Sequence, residues 1–154
     1  MYFLFCRRSL ERSFFHFFAA DAFIYLSIAE TSRLGFYTFD GINATSGFHP
    51  LWQILLQGAF QTFGLAGDKV AQITFAFWSS VTLVTTGSVF TALAVLRWSG
   101  STLAAMLTVP GLFGIAMMLC GWQLGSVWHF MNGMESPLSL FFFGLTVFYL
   151  SGVN

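Results

Sequence analysis

The stretch VAQITFAFWSSVTLVTTGSVFTALAVL, Val70 to Leu96, runs for 27 residues without a charge. A helix crossing a bilayer needs about 20 predominantly apolar residues, so this segment reads as a membrane span. Its surroundings agree. Trp98 to Met134 adds 37 uncharged residues and Ser136 to Asn154 another 19. In the whole chain of 154 residues only 12 side chains are charged, six of each sign, while 56% of residues are apolar and 21 are Phe. Soluble domains carry about 25% charged residues, and a chain with 8% has too little polar surface to cover one. Disorder demands low hydrophobicity and high net charge, and nucleic-acid binding demands a basic patch. Both classes are excluded. The composition predicts an all-α, polytopic integral membrane protein.

Other segments group around that span. Leu51–Leu65 carries Gln53, Gln57 and Gln61 at i, i+4, i+8, a polar stripe expected to face protein or a water-filled cavity. Gly67-Asp68-Lys69 ends it, and Arg97-Trp98 closes the central span as an interfacial anchor. The next span runs from Thr102 to about Leu124, with a kink expected at Pro110. Trp122, Trp128 and His129 mark its exit, and Pro137 opens a last apolar segment to Val153. The predicted spans are 51–66, 70–96, 102–124 and 137–153. Cys6 and Cys120 lack metal-ligand spacing and read as packing residues.

Eight of the 12 charges lie before residue 50. Residues 1–20 form an atypical N-terminal membrane segment, broken by Arg7, Arg8 and Arg12, which place the N-terminus in the cytoplasm. Asp21–Leu34 reads as an interfacial amphipathic helix. Asp21, Tyr25 and Ile28 share one face by i, i+4, i+7 spacing, Glu30 and Arg33 pair at i, i+3, and Gly35 is the stop. Phe36–Pro50 is a loop with Asp40-Gly41 and Ser46-Gly47 turns, and Pro50 suits a first helical turn.

The wording of this polar region is distinctive. Asp21-Ala22-Phe23-Ile24-Tyr25-Leu26, followed by Phe36-Tyr37-Thr38-Phe39-Asp40-Gly41-Ile42-Asn43-Ala44-Thr45-Ser46-Gly47-Phe48-His49-Pro50-Leu51-Trp52, resembles the first extracytoplasmic loop of GT-C fold glycosyltransferases. These are the bacterial multi-pass enzymes, related to protein mannosyltransferases and lipid A aminoarabinose transferase, that use polyprenyl-phosphate sugars. Asn132-Gly133-Met134-Glu135-Ser136-Pro137-Leu138 resembles a second motif of the same proteins, in the expected order.

The resemblance implies transfer of a sugar from a polyprenyl-phosphate donor to a lipid, glycan or protein acceptor, outside a bacterial inner membrane. Asp21 matches the catalytic base, which takes the proton of the acceptor hydroxyl as it attacks the anomeric carbon. His49 matches a donor-site residue, and Tyr25, Asp40 and Glu135 match polar positions near sugar or acceptor. Family members often carry two adjacent acidic residues where this chain has Ala20-Asp21, and no metal is expected. The family is much longer, so the chain resembles its N-terminal portion.

A different reading needs no chemistry. A small multi-pass subunit or scaffold would pack on partner helices through the Gln stripe and the Gly- and Ser/Thr-rich faces. Alternating spans would also put Asp21–Pro50 outside and Asn132–Pro137 inside, separating Glu135 from the Asp21 face.

Overall fold

The computed structural model describes residues 20–31, 37–38, 42, 49–119 and 135–153. Among them it is all-α, with five helices: α1 (Ala20–Thr31), α2 (Pro50–Phe63), α3 (Lys69–Ser99), α4 (Thr102–Leu119) and α5 (Ser136–Leu150). Expectations for residues 1–19, Arg33, Leu34, Gly35, the Asp40-Gly41 and Ser46-Gly47 turns, Cys120 to Met134 and Asn154 lie outside the described residues.

Local chemistry explains the boundaries. α2 starts where Pro50 occupies the first turn, its missing N–H costing nothing there, and the Gln53 N–H donates to the His49 carbonyl at 3.0 Å. It stops at Gly64, whose φ of 65° is left-handed, and the Gly64 and Leu65 N–H groups both donate to the Phe60 carbonyl. Gly67 turns the chain again at φ 87°. Asp68 then caps α3 by accepting the Ala71 N–H at 3.0 Å, which also sets a carboxylate against the positive end of the helix dipole. At the far end Gly100 (φ 65°) closes α3, and the Ser101 hydroxyl accepts from the Ala104 N–H at 3.2 Å to start α4. α4 runs as one helix through Pro110.

α3, with 31 residues, is the one described helix long and apolar enough to cross a membrane. The helices Ala22–Thr31, Thr102–Ile115 and Ser136–Leu150 are apolar but shorter.

The chain divides into two compact units. The first holds the described residues up to Trp78, together with Glu135. Its core comes from α1 (Ala22, Tyr25, Leu26, Ile28, Ala29), α2 (Trp52, Leu56, Ala59, Phe60) and the start of α3 (Ile73, Ala76, Phe77). The second holds the described residues of Ser79–Met131 and of Ser136–Asn154.

In the second unit α3 and α5 run parallel, since successive α3 residues meet successive α5 residues. Phe90 stacks on Phe141 and Phe148 at 6.2 and 5.3 Å between ring centroids. Arg97 lies 3.9 Å over the Phe148 ring and donates to the Phe148 carbonyl at 3.4 Å. The helices touch through glycine: a Cβ on Gly87 would stand 2.7 Å from the Leu140 carbonyl oxygen and 2.8 Å from the Phe141 Cα. Gly144 faces Gly87 in turn, so backbone meets backbone, the usual role of small residues between membrane helices.

Candidate functional site

The site is built on the pairing of α1 with α2. α1 buries Ala22, Tyr25, Leu26, Ile28 and Ala29, so the face predicted to carry Tyr25 and Ile28 is the packed face. Its other side chains from Phe23 to Thr31 are half-buried, and none is fully exposed.

Two polar contacts fix the pairing. The backbone N–H of His49, just before α2, donates to the Tyr25 hydroxyl at 3.1 Å. One turn into α2, the Gln53 amide is fully buried; oriented to suit its neighbours, it accepts the Ala29 N–H at 2.8 Å and donates to the Tyr25 carbonyl at 3.3 Å. Both backbone groups belong to one rung of α1, so a side chain of α2 grips the α1 main chain. The Gln stripe is thus used within the fold at Gln53, while Gln57 is half-buried and Gln61 exposed.

The C-terminal end of α1 is held as firmly. The Thr31 hydroxyl lies within reach of the Ser27 carbonyl at 2.9 Å and bonds the carbonyl of the buried Thr38, drawing the following loop back onto the helix. Glu30 reaches the loop after α2. It forms an ion pair with Lys69, accepts the Gly67 N–H at 2.9 Å, and is hydrogen-bonded by the Gln72 side chain. The Lys69 hydrogen bond and charge, with Gly67 and Gln72, hold the Glu30 carboxyl below its ordinary value of 4.5 against the opposing effect of burial. Gln72 is fully buried and donates to the Leu65 carbonyl at 3.0 Å. Arg33, the i, i+3 neighbour of Glu30, lies outside the described residues; the described partner is Lys69, 39 residues away.

The sequence-derived site residues are placed as follows. Tyr25 is buried and positions the segment at His49, whose own side chain is exposed. Asp21 lies in the first turn of α1, with its backbone alone described, and Asp40 is outside the described residues. Glu135 is half-buried and belongs to the first unit, the one that contains α1 and α2. Ser136, Pro137 and Leu138 of the second motif belong to the second unit.

The Glu30–Lys69–Gln72 cluster was missed from sequence; its one available signal was a lone lysine beside two turn glycines, Gly64 and Gly67. An open apolar groove of about 530 Å³ lies beyond α2, lined by Phe63, Leu65, Val70, Phe75 and Trp78 among others, and includes none of the predicted site residues. Among the described residues no three of His, Cys, Asp and Glu gather to hold a metal ion.

Compared with known proteins, the chain matches no family model, no curated protein and no solved structure.

Proposed function

We propose that the protein is a multi-pass membrane glycosyltransferase of the GT-C type, taking a sugar from a polyprenyl phosphate on the extracytoplasmic side. The observation that carries this reading is the Tyr25–His49 hydrogen bond, since it joins the two halves of the first motif across a 24-residue separation. A polar loop that merely wetted the connection between two helices would have no need of such a bond. The grouping of Glu135 with the same unit supports it further.

In this mechanism Asp21 removes the acceptor hydroxyl proton as the oxygen attacks the anomeric carbon. The bond from that carbon to the phosphate oxygen breaks, and the phosphate departs with the electron pair. The leaving group is already a stabilised anion, so one carboxylate acting as base suffices. The exposed His49 side chain contacts the donor, while Tyr25 positions it from behind. Glu135 stands near sugar or acceptor.

The test is Asp21→Asn, which keeps the size of the side chain and removes the base. Sugar transfer is expected to fall by at least 100-fold with membrane insertion unchanged, in line with the contribution of general bases. Transfer retained at the parental rate rejects the assignment.

A further inference from the structure

Hydropathy predicts that α2 crosses the membrane, which would put His49 and Lys69 on opposite faces. Two bonds from α1 contradict this. Tyr25 holds His49 at the start of α2, and Glu30 holds Gly67 and Lys69 beyond its end. Tyr25 and Glu30 are five residues apart, about 7.5 Å along a helix axis. That rise and two side chains do not reach across a hydrocarbon layer of about 30 Å. α2 itself, with 14 residues, is only about 21 Å long. Its outer face mixes Leu51 and Ile54 with Gly58, Gln61 and Thr62, all exposed, a composition suited to the headgroup region rather than to acyl chains.

α3 shows where the hydrocarbon begins. Its 31 residues span about 46 Å, an excess of about 16 Å over the hydrocarbon layer. Its exposed tryptophans, Trp78 and Trp98, are 57% and 55% accessible and stand 20 residues apart, about 30 Å along the axis. Tryptophan collects at the two membrane–water interfaces. The first compact unit also ends at Trp78. The ten residues before that boundary bury Gln72, Ile73, Ala76 and Phe77 against protein, not lipid.

We infer that the bilayer grips α3 between Trp78 and Trp98, and that α2 does not cross. His49, the Gly64–Asp68 turn and the Glu30–Lys69 pair then face one aqueous side. This inference rests on the membrane reading proposed above but not on sugar transfer.

The experiment is labelling of intact cells with a membrane-impermeant maleimide, using His49→Cys, Ala66→Cys and Ser99→Cys in a background with Cys6 and Cys120 replaced by Ser. The His49 bond uses the backbone N–H, so His49→Cys keeps it, and Ala66 and Ser99 are exposed. The positions at 49 and 66 are expected to label together, and the position at 99 only after permeabilisation. Lys69, the one lysine of the sequence, provides a second readout in the unsubstituted chain: an impermeant amine reagent, mapped by peptide mass, is expected to modify it in intact cells. Labelling of 49 and 66 from opposite sides overturns the inference and leaves the membrane reading intact. Labelling of both only after permeabilisation, with 99 labelled in intact cells, supports the inference and removes the extracytoplasmic assignment. Release of the chain by alkaline carbonate overturns both.

Discussion

Each of the two units is held internally by a different means. In the first, polar groups make the decisive contacts: the Tyr25 hydroxyl to the His49 backbone, the Gln53 amide on a rung of α1, the Glu30 carboxylate on Gly67, Lys69 and Gln72. In the second, α3 and α5 meet at glycine, with Phe90 stacked on Phe141 and Phe148. On the membrane reading proposed above, the difference follows from solvent. Water favours burial of apolar surface and leaves polar bonds to specify register, whereas lipid gives no hydrophobic drive between helices and leaves close packing as the source of attraction.

Substitutions that attack each mode separately break the comparison, and the largest effect belongs to the glycine contact. Gly87→Leu places a side chain where even a Cβ stands 2.7 Å from backbone that has nowhere to yield. Overpacking of this kind costs about 1–3 kcal/mol or more. The folded fraction in mild detergent, read by size exclusion, is expected to collapse, whereas Gly58→Leu, with open space around its Cβ position, is expected to stay near the parent.

Next comes Gln53→Leu, which keeps the volume and deletes the grip on α1. Buried hydrogen-bonding groups left without partners cost about 1–3 kcal/mol, so a lower thermal midpoint is expected. An unchanged midpoint would show that apolar packing alone holds α1 to α2.

Tyr25→Phe should do less, since it removes one hydrogen bond worth about 0.5–1.5 kcal/mol. Its informative readout is kinetic: if Tyr25 only positions His49, donor KM rises while His49→Ala gives no further loss in the Tyr25→Phe background.

The smallest effect is the Glu30 ion pair, because the Lys69 side chain is 54% exposed and such pairs are weak. Its sign is fixed. The carboxyl is held below its ordinary 4.5, so its contribution is complete above that pH, fades below it, and is gone once pH passes the lowered folded value. Glu30→Gln is expected to flatten that acid limb of the stability profile and to change little at neutral pH.

Much of this was legible in the sequence, for physical reasons that separate cleanly. Helix ends were partly readable because they are local: Pro50 starts α2 and Pro137 stands in the first turn of α5, whereas α2 stops at Gly64, three residues before the Gly67-Asp68-Lys69 stop expected, and α3 runs past Arg97-Trp98 to Ser99. The buried Ser80, Ser88 and Thr91 of α3 follow from its Ser/Thr-rich composition. Partners were not readable. Nothing local announces the bond from Glu30 to Lys69 across 39 residues. The Gln stripe was correctly seen as polar, but spacing alone does not say that Gln53 meets a backbone rung inside the fold while Gln61 meets solvent. The Gly87–Gly144 contact was invisible for the same reason.

The most direct measurement of the central claim is donor binding. The chain in lipid nanodiscs is titrated with a labelled polyprenyl-phosphate sugar, alongside His49→Ala. Saturable binding by the parent, weakened at least tenfold in the variant, is the predicted result. Absence of saturable binding by the parent, or equal binding by both, would contradict it.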